Sequence, residues 1–95
     1  MIEFTLREDV STVRIRGRFD YRCVKEFQAG LTQPHTPWVV DMKDVEYVDS
    51  AALGMLLLLR DHAGEGCKVT LRNAHGQPRE VLMMAKFDRM FQLEA

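Results

Sequence analysis

Ile2, Phe4 and Leu6 alternate with Glu3, Thr5 and Arg7, the period of two expected of a strand with one buried face. Glu8-Asp9 interrupts the pattern. Val13 and Ile15 then alternate with Thr12, Arg14 and Arg16, predicting a second strand that returns as a hairpin and ends at Gly17. Past Arg18-Phe19-Asp20, the residues Val24, Phe27 and Leu31 fall at i, i+3 and i+7. That spacing predicts a helix from about Tyr21 to Leu31, with Asp20 at its N-cap or first turn.

The segment TQPHTP carries two prolines and no period, so it is expected to be a loop. Trp38-Val39-Val40 is a short continuous apolar run of the kind found in central strands. Lys43-Asp44 predicts a turn, after which Val45 to Val48 lead to Asp49. From Ser50 to about Ala63 the pattern is helical, and Gly64 with Gly66 stops it. Cys67, Val69 and Leu71 alternate with Lys68, Thr70 and Arg72, predicting another strand. Pro78 suits the first turn of a helix whose inner face would be Val81, Leu82, Met84 and Ala85. Phe87, Met90 and Phe91 predict one more helical turn, and Leu93 a last short strand. The class is therefore α/β. The expected architecture is a mixed sheet of about four or five strands, an antiparallel hairpin joined to parallel pairs, with three or four helices packed against it.

Composition narrows the function. A chain of 95 residues with 46% hydrophobic side chains suffices for one domain, expected to span residues 1–95. Thirteen basic and fourteen acidic side chains leave a net charge of −1, which gives no broad attraction for nucleic acid or anionic lipid. MIEFTLRED lacks a basic stretch followed by an apolar run, and no apolar segment is longer than the five residues of Met55 to Leu59, too few to span a bilayer. Cys23 and Cys67 form neither a CxxC nor a metal-ligand spacing and read as buried thiols of a cytoplasmic protein, with a single disulfide between them as the alternative.

The stretch YVDSAALGMLLLLRDHAG holds the candidate chemistry. Ser50 stands at a strand-to-helix junction, where the first helical amides lack intrahelical partners and the aligned peptide dipoles favour negative charge. A serine there can cap the helix. Phosphorylated, it can direct its dianion toward those amides. Asp49 beside it is not explained by a serine cap. Ala51, Ala52, Leu53 and Gly54 begin the helix with small or apolar side chains, leaving room for another protein to approach. MLLLL is apolar around nearly the whole helix, so either a neighbouring helix covers it or part of it forms a docking patch.

VVDMKDVEYVDSAALGMLLLLRDHAG resembles the central motif of STAS domains, specifically of bacterial anti-sigma factor antagonists: a strand, an Asp-Ser pair, small residues, Leu-Gly, then an apolar helix. GRFD, Gly17 to Asp20, is similar to the family's Gly-x-Leu/Phe-Asp element, and VLMMAKFDRMFQL to its closing helix. The resemblance runs from the opening hairpin to Phe91. It implies a non-enzymatic binding module without cofactor or metal. Unmodified, such a domain holds an anti-sigma factor, often a serine kinase of histidine-kinase-like ATPase fold. Phosphorylation ends the partnership, and a metal-dependent serine phosphatase restores it. Carried onto this chain, Ser50 is the acceptor, Asp49 its acidic neighbour, and Asp20 the aspartate approaching from the first strand-helix loop. Leu53-Gly54 is the motif's own pair. Ala51 and Ala52 replace the Ser-Gly of many relatives, which removes an alternative acceptor and is expected to narrow the space at the helix start. Other STAS proteins are accessory subunits of membrane ABC transport complexes and need no phosphorylation. Those tend to carry threonine at the switch position, so Ser50 favours the first reading.

The remaining signals have plainer expectations. Arg14, Arg16 and Arg18 read as a solvated strand face, and His35, His62 and His75 as scattered surface residues. Met83, Met84 and Met90 are expected in the core, with a methionine-lined partner groove as the alternative. Trp38 is expected to anchor the sheet. No Ser-His-Asp order, paired glutamates or glycine-rich phosphate loop points to catalysis.

Overall fold

The computed structural model describes residues 1–32 and 36–95. His35 and the centre of the expected TQPHTP loop lie outside the described residues. The chain runs β1 (Ile2–Arg7), β2 (Val10–Phe19), a 3-10 turn (Tyr21–Cys23), α1 (Val24–Ala29), β3 (Trp38–Val48), α2 (Ser50–Ala63), β4 (Val69–Arg72), α3 (Gly76–Met84), a second 3-10 turn (Phe87–Arg89) and β5 (Gln92–Glu94). The strands form one sheet in the order β1-β2-β3-β4-β5. β1 and β2 are antiparallel and every later pair is parallel. The expected mixed α/β architecture is borne out.

Each parallel connection steps one strand further in the same direction. Right-handed crossovers therefore lay α1, α2 and α3 on the same face of the sheet. That face is dry: Val13, Ile15, Val40, Met42 and Leu71 bury against Phe27 of α1, Leu56 and Leu59 of α2, and Leu82 of α3. Burying each of these large side chains stabilises the fold by about 1.5–3 kcal/mol. Opposite them one residue per strand, in register, forms the row Glu3, Arg14, Asp41, Arg72 and Glu94 on the helix-free face. The arginines there are solvated and paired: Arg14 meets Asp44 at 3.3 Å and Arg72 meets Glu94 at 2.9 Å.

β3 departs from the sequence reading. No turn forms at Lys43-Asp44; the strand continues for 11 residues. Its register against β2 shifts twice, between Arg14 and Arg16 and between Gly17 and Arg18. Each shift places an extra residue on β3, a β-bulge. The bulges change the phase of the pleat, so Val40, Met42, Val45 and Val48 all turn inward although their spacing is 2, 3 and 3. Gly17 does not end β2. It takes φ 77° at the second bulge, and the strand runs on to Phe19.

The expected helix at Tyr21–Leu31 is shorter, a 3-10 turn followed by six α-helical residues. Two further expectations are corrected. Met84 is 83% exposed, and Met83 and Met90 also reach solvent. The cause is that α3 buries Pro78 and Leu82, four residues apart, which turns Met83 and Met84 outward. His62, expected at the surface, is half-buried. Its ring meets buried Trp38 edge-on at 6.3 Å between centroids, and its Nε2 is buried without a partner among the described residues.

Candidate functional site

The residues singled out in the sequence gather where β3 ends and α2 begins. Asp49, not Ser50, is the N-cap. Its backbone is extended, at φ −117° and ψ −174°, and Oδ1 accepts the amide of Ala52 at 3.0 Å. Oδ2 accepts the amide of Tyr21 at 3.2 Å, which ties the turn after β2 to the start of α2. A carboxylate caps a helix at least as well as a hydroxyl and also opposes the positive end of the dipole. Ser50 is thereby released from capping. It is the first residue of α2 and exposed, and its hydroxyl has no protein partner among the described residues.

Asp20 lies in the same corner but is occupied. Its residue surface is only 3% exposed. Arg22 grips it three ways, from its amide to Oδ1 at 3.1 Å, from Nε to Oδ1 at 3.2 Å, and from the terminal guanidinium nitrogen to Oδ2 at 2.9 Å. Arg18 Nε stands 3.5 Å from Oδ2 while its guanidinium lies over the Tyr47 ring at 4.1 Å. The Arg22 side-chain hydrogen bonds, working against the cost of burial, hold the Asp20 carboxyl down at about 2. Asp20 thus fixes the turn that delivers Tyr21 to Asp49, and Tyr21 itself is 68% exposed beside the junction.

Along α2 the residues divide by face. Ala52, Met55, Leu56, Leu59 and Ala63 are buried, while Ala51 and Leu53 are half-buried. Ala52 is fully buried, so the expectation that it narrows the approach to the helix start does not hold; its methyl belongs to the core. Ser50, Gly54, Leu57, Leu58 and Asp61 are exposed at i, i+4, i+7, i+8 and i+11, one helical face. A Cβ added at Gly54 would meet nothing within 4 Å. Glycine costs a helix interior about 1 kcal/mol relative to alanine, and no intramolecular contact here demands it. Leu57 and Leu58 are 41% and 39% exposed. Of the two readings of MLLLL, three residues are covered and these two are not.

Tyr21 and Gln77 escaped the sequence reading. The carboxamide of Gln77, in the first turn of α3, accepts the Val48 amide through Oε1 and donates to the Val48 carbonyl through Nε2, both at 2.9 Å. A lone glutamine gives no signal in a sequence; the i, i+4, i+7 spacing of Ser50, Gly54 and Leu57 does.

A polar concavity of about 550 Å³ lies at the other end of α2, between Arg60, Cys67, Lys68, Met90 and Gln92, and none of the junction residues lines it. Among the described residues no group of three or more His, Cys, Asp or Glu could hold a metal, and no helix is long and apolar enough to cross a membrane. An exposed hydroxyl on a partly apolar helix face, outside that concavity, suits a macromolecular surface better than a small ligand.

Comparisons with known proteins agree with the geometry. The family described as "Mlab, STAS domain" matches residues 2–93. A STAS-domain containing protein of Pseudomonas aeruginosa (strain UCBPP-PA14) is 41% identical over 86 residues, covering 86% of this chain and 85% of that one. Three solved structures share the fold at low identity. An anti-sigma factor antagonist from Mycobacterium paratuberculosis has a TM-score of 0.84 at 19% identity, covering 99% of this chain and 84% of that one. SpoIIAA, an anti-sigma factor antagonist in its unphosphorylated form, has a TM-score of 0.72 at 12% identity, covering 100% and 87%. A sulfate transporter family protein from Wolinella succinogenes has a TM-score of 0.78 at 15% identity, covering 95% and 80%. The chain belongs to the STAS-domain family.

Proposed function

We propose that this protein is a cytoplasmic anti-sigma factor antagonist, a non-enzymatic module whose hold on an anti-sigma factor is set by phosphorylation of Ser50. One observation carries the reading: Asp49 caps α2, so the Ser50 hydroxyl is free and exposed on the same helix face as Gly54, Leu57 and Leu58. Unmodified, that face offers a partner two leucines, and Gly54 leaves space for close approach. A kinase partner transfers a phosphoryl group from ATP to Ser50 Oγ, and a metal-dependent serine phosphatase removes it with water.

The added group brings about −1.5 to −2 charge next to the Asp49 carboxylate and a hydration shell that docking would have to strip. Taking a complex from nearly all bound to nearly all free requires about 5.5 kcal/mol of differential affinity. A dianion pressed into an apolar interface is of that order without any change of fold. A pull-down with wild type, Ser50→Ala and Ser50→Asp, combined with intact-mass measurement, tests this. Ser50→Ala is expected to retain a kinase-type anti-sigma partner and Ser50→Asp to release it. A second reading, an accessory subunit of a membrane ABC transport complex, draws on the fold shared with a sulfate transporter family protein. Equal recovery of a transporter ATPase by all three variants would replace the first reading with it.

A further inference from the structure

Among the described residues β4 pairs with β3 over Trp38–Asp41, and β3 from Met42 to Val48 has no strand neighbour on that side. An unpaired strand edge frays or pairs with another chain unless something covers it. Here Asn73 and His75 of the β4–α3 connection and Gln77 of α3 reach across to β3, the first at its last paired residue and the other two along the unpaired stretch. Asn73 Nδ2 donates to Asp41 Oδ1 at 3.2 Å, His75 Nε2 lies 2.8 Å from the Lys43 carbonyl, and Gln77 takes both main-chain groups of Val48. Gln77 therefore does with one side chain what a neighbouring strand would do with two peptide groups.

We propose that Gln77 is the positioning residue of the switch junction, setting how Ser50 is presented to its partner; the second half of this rests on the function proposed above. The Val48 amide belongs to the peptide entering that residue, and its carbonyl to the peptide leaving for Asp49. Holding both fixes the two peptide planes around Val48 and hence the angle at which the chain enters Asp49. Asp49 converts that angle into the two contacts that place α2, to Ala52 and to Tyr21. The line from Gln77 to the Ser50 hydroxyl is thus Val48, Asp49 and the first turn of α2, every step a hydrogen bond or a shared peptide. Val48 is itself buried, so its main-chain groups have no water to fall back on if Gln77 is lost.

The test compares Gln77→Ala and Gln77→Glu with wild type by amide hydrogen exchange and nitrogen-proton shifts. In Gln77→Ala, protection is expected to fall about tenfold more at Val48, Tyr21 and Ala52 than at Val13 and Leu71, the loss of about one hydrogen bond's worth of local stability. Among the described residues Tyr21 and Ala52 hydrogen-bond to Asp49 and not to Gln77, so a general weakening of the edge would leave them no worse than the controls. Gln77→Glu adds a pH signature, because only the protonated acid offers a donor and an acceptor together. Its Val48 shift is expected to return to the wild-type position as pH falls through the introduced carboxyl's titration, with wild type measured alongside as the reference. In the pull-down, partner retention by Gln77→Ala is expected to fall about tenfold, in step with the exchange. Uniform loss of protection, unchanged Tyr21 and Ala52, or local loosening with full partner retention would each overturn the proposal. If the Ser50 variants capture nothing, the switch reading fails instead, and exchange at Tyr21 and Ala52 still decides whether Gln77 holds the junction.

Discussion

Asp49 Oδ2 accepts the amide of Tyr21 at 3.2 Å, joining the turn after β2 to the start of α2 across 28 residues of sequence. Because Asp49 performs both this bridge and the helix cap, the neighbouring serine carries no structural duty. Asp49→Ala is therefore expected to lower stability by about 1–2 kcal/mol. Ser50→Ala should stay within about 0.5 kcal/mol of wild type. Urea unfolding of the two variants settles the assignment; a larger loss for Ser50→Ala would reverse it.

Gly54→Ala separates folding from docking. The new methyl meets open space within this chain, and alanine is the better helix former. Thermal or urea unfolding should show a gain of up to about 1 kcal/mol. Partner retention should fall in the same variant. Destabilisation would mean that the glycine serves the fold after all.

Adjacent leucines of α2 are expected to behave oppositely. Leu56 is fully buried and Leu57 is 41% exposed. Leu56→Ala should cost about 2–5 kcal/mol through the cavity it leaves. Leu57→Glu should change stability by no more than about 0.5 kcal/mol while abolishing partner capture. Comparable unfolding midpoints for the two would contradict the described packing.

Acid should loosen the corner that holds Tyr21. Asp20 has its carboxyl lowered from 3.8 to about 2, chiefly by hydrogen bonds from Arg22. A group lowered on folding contributes stability that is complete above its unfolded value. That contribution is lost as pH falls from about 4 through about 2. Urea midpoints between pH 5 and pH 2 should therefore fall more steeply for wild type than for Asp20→Asn, and parallel curves would show that Asp20 adds nothing in this window.

The order of elements was legible because most segments keep a clean period: Ile2 to Leu6, Val13 and Ile15, and Val69 and Leu71 each alternate as half-buried strands do. β3 was read as two pieces because its bulges space Met42, Val45 and Val48 by three, a pattern that mimics a break. The neighbourhood of Ser50 could be found from the Asp-Ser-x-x-Leu-Gly motif, but the division of labour between the two residues could not. Either side chain can cap a helix, and only the backbone of Asp49 decides which does. Met84 reads as core by hydrophobicity, yet the register of α3 is set by Pro78 and Leu82, a choice that tertiary packing makes. Gln77 was invisible for a simpler reason: its partner is main chain, and main chain leaves no letter in a sequence.

The row Glu3, Arg14, Asp41, Arg72 and Glu94 reads minus, plus, minus, plus, minus across the five strands, the same from either end. Laid against its own image by a twofold axis centred on Asp41, whether along the strands or across them, every charge would confront its own sign. Self-stacking of the bare side of the sheet in that centred register is thereby penalised, a constraint that the helical side, where Ser50 sits, does not share.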